Sequence, residues 1–155
     1  MRMSEHCGII YGLKPGDHQA GAVGDSVLME SYRTISFLIQ FATLTGDAVL
    51  SIYSGATDGT KTTQETFNYR LADQVQGNTA ADGYAAWSTS SALTLTAATY
   101  QNKLLIVEVD AQALTDGQPW VTLDFSAAAD ALNAAVVAVL HDGRYHAHDM
   151  PGALV

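Results

Sequence analysis

In the stretch "RTISFLIQF", Ile35, Phe37, Ile39 and Phe41 alternate with Ser36, Leu38 and Gln40. A period of two places the first set on one face of an extended chain and the second on the other. The rhythm returns at Ala48, Leu50 and Ile52, at Phe67, Tyr69 and Leu71, at Leu93 and Leu95, and at Val121, Leu123 and Phe125. "YAAWS" is a further short strand candidate, and "AVVAVLHDGRY" reads as the last strand. "KLLIVEVD" is a near-continuous apolar run of the kind found in a central strand. The "TGD" turn at Thr45 to Asp47 predicts a hairpin between the first two segments.

Gly, Asp and Asn turns separate roughly eight such segments. The predicted fold is therefore all-β: an antiparallel β-sandwich, jelly-roll-like, with at most one short helix. "AAADALNAA" suits either that helix or a plain loop. Residues 1–30 carry a Pro15-Gly16 pair and little periodicity, which predicts an extended arm and loop before a sandwich domain over 31–155. A chain of 155 residues fits one such domain with a sizeable core.

Charge narrows the function. The net charge is −9, and the seven basic residues (Arg2, Lys14, Arg33, Lys61, Arg70, Lys103, Arg144) are scattered. Nucleic-acid binding needs cations that neutralise successive phosphates, so no nucleic-acid partner is expected. Cys7 is the single cysteine, which rules out an intrachain disulfide and reads as a small idle thiol. The start lacks the apolar core of a signal peptide, and the longest apolar run, Ala134 to Leu140, is too short to span a bilayer. A soluble protein made in a cytoplasm, with no membrane partner, is the expectation.

Four constellations invite chemistry. "YSGATDGTKTT" hints at a phosphate loop, but Gly55 and Gly59 are separated by three residues instead of four, and Thr60 intrudes before Lys61. An alternating segment follows where a phosphate loop opens a helix, so this reads as an inter-strand loop with Lys61 as a lone exposed cation. "HAH" at His146 and His148 resembles the metal-binding element of cupins, with Asp149, His141 or His6 as further donors. Only seven residues follow His148, none of them Glu, and a solvated or interface-packed tail is the simpler reading. Glu108 and Asp110, with Asp124 on a neighbouring strand, have the look of paired carboxylates, although "EVD" ordinarily marks a chain leaving the core. Trp87, Trp120 and Tyr100 suit a carbohydrate-stacking surface or, more simply, core and interface anchors. No catalytic, cofactor-binding or metal residue is assigned, no cofactor is implied, and the chain is not expected to be an enzyme.

"LLIVEVDAQALTDGQPWVTLDFS" and "AAVVAVLHDGRYHAHDMPGAL" resemble the C-terminal part of small tailed-phage virion proteins found beside the major capsid protein. "SGATDGTKTT", standing before an aromatic "FNYR" strand, resembles the middle of the same group. The resemblance covers most of Ile35 to Leu154. It implies a capsid decoration, or cement, protein: β-rich, commonly trimeric, seated on the outer capsid surface between capsomers and bound to the major capsid protein. No site residue transfers, because such proteins work through surfaces, and "HAHD" departs from the simpler tail of the group. Two other readings stay open: another virion component (tail, head fibre or connector) and a carbohydrate-binding β-sandwich.

Overall fold

The computed structural model describes residues 7–75, 77 and 83–143. Along these run β1 (Gly8–Asp17), β2 (Ala22–Val23), β3 (Val27–Leu28), β4 (Tyr32–Leu44), β5 (Ala48–Gly55) and β6 (Thr63–Glu65). β7 (Phe67–Leu71), β8 (Ser88–Ser90), β9 (Ala92–Leu95), helix α1 (Ala97–Tyr100), β10 (Leu104–Asp110), β11 (Trp120–Phe125) and β12 (Leu132–Gly143) follow. A short 3-10 turn, Ala111–Ala113, leads out of β10.

The strands form two antiparallel sheets. The first has the order β1-β12-β4-β10-β7-β8, and the second β2-β11-β5-β6, with β3 also on β11 and β9 also on β5. Of the four strands beyond the eight expected, β1, β2 and β3 lie in the segment read as an arm, and β6 is a short piece ahead of β7. β2 and β3 lie end to end along β11, and β6 and β9 lie end to end along β5. If β2–β3 count as one span and β6 to β9 as another, eight spans remain. Their spatial orders, 1-8-3-6 and 2-7-4-5, are those of a jelly roll. The span from β6 to β9 is itself a hairpin. It passes from the second sheet to the first across the single residue Thr66 and returns across the single residue Ser91.

Alternation explains the core. Ile35, Phe37, Ile39 and Phe41 of β4, with Leu105, Val107 and Val109 of β10, face Leu50 and Ile52 of β5 and Val121, Leu123 and Phe125 of β11. Phe41 sits among aromatics, its ring centre 6.0 Å from Tyr100 and 6.4 Å from Phe125, both edge-on. α1 therefore acts as a plug that carries Tyr100 into the core.

Four expectations differ from what the structure shows. β4 and β5 are not a hairpin, because β4 pairs with β12 and β10 while β5 pairs with β11, β6 and β9. Thr45–Asp47 instead carries the chain from one sheet to the other. A period-two pattern reports which face is apolar, not which sheet holds the strand, so both arrangements satisfy it.

Residues 8–17, expected in an arm outside the compact domain, form edge strand β1 on β12, with Ile10 buried in the core. Register shifts between Tyr11 and Leu13 and between Leu13 and Gly16 erase the alternation that would have announced the strand. Pro15 is tolerated there because an edge strand has one unpaired side.

The helix lies at Ala97–Tyr100 and not in "AAADALNAA". From Leu132 onward Leu132, Ala134, Val136, Ala138 and Leu140 all point inward, and burial at period two overrides alanine's helix preference. The "YAAWS" strand also starts later, at Ser88, with Tyr84 making only an isolated bridge to Ala72.

Candidate interaction surface

The glycine loop is tied to the outside of the second sheet. The Ser26 hydroxyl accepts the Gly59 N–H (3.0 Å) and lies 2.7 Å from the Thr122 hydroxyl beneath it. Thr60 donates its hydroxyl to the Thr57 carbonyl at 2.6 Å and accepts the Thr57 N–H at 3.2 Å. Lys61 is not a lone cation: its Nζ lies 3.2 Å from Asp124 Oδ1 and 5.4 Å from the centre of the Tyr53 ring. Partly exposed as it is, that ion pair contributes at most about 1 kcal/mol. The groups that would hold a phosphate are committed elsewhere.

Gly59 has a φ of +73°, and a Cβ on Gly55 would overlap the Thr60 carbonyl and hydroxyl. Gly55→Ala is expected to cost about 1–3 kcal/mol through this overpacking, read as a lowered urea midpoint. An unchanged midpoint would mean that the loop shifts freely.

Among the described residues the remaining sequence candidates do not converge. Asp124 faces out from the second sheet, whereas Glu108 belongs to β10 of the first. Asp110 caps the turn after β10 by accepting the Gln112 N–H at 2.9 Å. Tyr100 is in the core, Trp87 stands on the edge of the first sheet, and Trp120 pairs with Gly55 and Leu28 in the second. His6, His146, His148 and Asp149 lie outside the described residues. Among the described residues no three His, Cys, Asp or Glu side chains gather as for a metal ion.

His141 does have partners. Ser36 donates to Glu108 Oε1 at 3.2 Å, and its oxygen lies 2.8 Å from His141 Nε2. The other ring nitrogen, His141 Nδ1, lies 3.6 Å from Asp142 Oδ2.

The register of the first sheet assembles what the sequence scattered. Tyr11 pairs with Val137, Val137 with Leu38, Leu38 with Ile106, and Ile106 with Arg70. None of these side chains shares the inward parity of Phe37, Val107 or Val136, so they line up across the outer face. At about 4.8 Å per strand the row is about 19 Å long.

One end of the row is Tyr11, 82% exposed, with Ile9 beside it. The other end is the Arg70 guanidinium, 4.8 Å from the Tyr84 ring centre and 4.7 Å from that of Trp87. The adjacent row, Ile9, Val139, Ser36, Glu108 and Asn68, turns polar half-way along. An apolar row closed by Tyr, Trp and Arg has the composition of the energetically dominant part of a protein interface.

No protein-family model matches the chain, and no curated protein matches it. The crystal structure of the SPBc2 prophage-derived protein YomS is similar, with a TM-score of 0.50 and 10% identity, covering 86% of this chain and 92% of that one. The two proteins share a fold. At this identity the likeness concerns architecture, and it spans nearly the whole of both chains.

One group went unnoticed in the sequence. Glu65 is buried, and its Oε1 accepts the Ser54 hydroxyl (2.5 Å), the Thr115 N–H (2.9 Å) and the Thr115 hydroxyl (2.7 Å). Burial pushes its pKa up, but the hydrogen bonds from Ser54 and Thr115 outweigh that and hold it below its ordinary value. The signal was parity: Glu65 falls in step with inward-facing Phe67 and Tyr69.

Proposed function

We propose that this chain is a non-enzymatic phage virion protein that decorates the outer capsid surface. It docks on the major capsid protein through the outer face of the first sheet and acts as a trimer across capsomer boundaries. The observation that carries the reading is the row from Tyr11 to Arg70 on the outer face of the first sheet, exposed at Tyr11 and Ile9 at one end and at Tyr84 and Trp87, whose rings flank Arg70, at the other. The shared architecture with a prophage-derived protein supports a phage setting. The net charge of −9 suits a protein held away from packaged DNA. Copies arranged by local symmetry would let modest single contacts add up to firm attachment.

Purified protein mixed with undecorated heads of its phage is expected to sediment with them. Tyr11 and Ile9 are exposed, so Ile9→Ala with Tyr11→Ala should leave thermal stability unchanged. Head affinity should fall about tenfold or more, as the loss of interface anchors does. Wild-type protein that stays in the supernatant would overturn the proposal. Labelled particles marked only at one vertex or on the tail would move the protein to a connector, fibre or tail role.

A further inference from the structure

The chain leaves β10 through residues 111–119, and this segment, with Met29, Glu30 and Ala56, walls an open groove of about 640 Å³. We infer that this groove binds an arginine or lysine side chain presented on an extended segment of a partner protein.

The chemistry of the lining selects that occupant. Met29, Ala56, Leu114 and Pro119 supply an apolar floor, and Met29 is fully buried at its base. Glu30 and Asp116 stand exposed at the groove, and among the described residues no Lys or Arg lines it. An apolar floor below two carboxylates complements a long methylene stem that ends in a cation. A neutral apolar side chain would leave both carboxylates without a partner, and an acidic one would be repelled. The volume lies within the range of ordinary ligand sites and exceeds one side chain, which is why the occupant includes flanking backbone.

The wall is already built for binding. Glu65 holds Thr115 from below, Gln118 N–H donates to the Thr115 carbonyl at 3.0 Å, and Met29 N–H donates to the Pro119 carbonyl at 2.9 Å. A loop fixed in this way gives up little conformational freedom when a ligand arrives. A buried carboxylate is a costly means of shaping a loop that merely turns the chain, and the groove it holds open gives that expense a use.

The test is a backbone-amide NMR titration of the full chain with the blocked tripeptide Ac-Gly-Arg-Gly-NH2. Peptides carrying norleucine or glutamate in place of arginine serve as controls. Saturable shifts are expected at Gln112, Thr115 and Gly117, with affinity at least fivefold weaker for norleucine and absent for glutamate. Glu30→Gln with Asp116→Asn removes both charges from exposed positions. It should weaken arginine binding about tenfold, which corresponds to roughly 1.4 kcal/mol. Equal affinity for norleucine, unchanged binding by the double variant, or no saturable shift at millimolar peptide would each overturn the inference. Head binding is a separate readout, so loss of the sheet-face docking does not decide this result.

Discussion

Phe41→Ala is expected to lower unfolding free energy by about 3–5 kcal/mol, or roughly 6–20 °C of melting temperature in a chain of this size. Phe41 is fully buried where three parts of the chain meet: β4, β11 through Phe125, and α1 through Tyr100. Removing the ring deletes its transfer free energy and both edge-on contacts. It also opens a hole that rigid strands on either side cannot close. α1 has four residues and no side-chain cap, so Tyr100 is what fastens it, and it should loosen first. Urea denaturation gives the total loss, and hydrogen exchange at residues 97–103 gives the local one. A change below 1 kcal/mol would show that Tyr100 moves in to fill the space.

Glu65→Ala comes second, at about 2–4 kcal/mol near neutral pH. It removes the acceptor shared by the Ser54 hydroxyl and both Thr115 donors, and hydrogen bonds to a charged group are the strong ones, although Ser54 keeps Gln118 Oε1 at 2.8 Å as a second acceptor. The same carboxylate sets an acid limit. Its folded pKa lies below its unfolded value, so its contribution is complete above the unfolded value and fades as pH falls through the folded one. Wild-type protein should thus lose this contribution as pH falls below about 4.3. The gap between wild type and Glu65→Ala should narrow over the same interval. Urea midpoints at pH 7, 5, 4 and 3 measure this. A gap as wide at pH 3 as at pH 7 would remove Glu65 from the account.

The sandwich was legible because Ile35 to Phe41 and Val121 to Phe125 write one buried face in alternate residues. Sheet membership was not, since β4 and β5 carry the same signature whether they pair or oppose each other. β1 was hidden by its bulges and by glycines where side chains would have kept the beat. The surface was half-visible. "KLLIVEVD" is apolar at Leu105, Val107 and Val109 for the core, and again at Leu104 and Ile106, which face outward. A central strand and an uncovered outer face produce the same run, and only register sets Ile106 beside Leu38. Lys61 and Asp124 stand 63 positions apart, too far for local reading to join.

The hairpin from β6 to β9 gives the sandwich a mechanical property. Phe67 pairs with Ser90, so the two one-residue crossings at Thr66 and Ser91 run side by side. A load on the first sheet is therefore handed to the second along two parallel lengths of backbone, as well as through the yielding contact of side chains. Sliding one sheet past the other would stretch covalent chain at this border most directly, while at the opposite border the chain crosses from β1 to β2 through the four residues 18–21 and β1 is held by hydrogen bonds to β12. Of the places where the chain passes between the sheets, Thr66 and Ser91 leave the least slack, so the two sheets should stay in register there when the longer crossings give way.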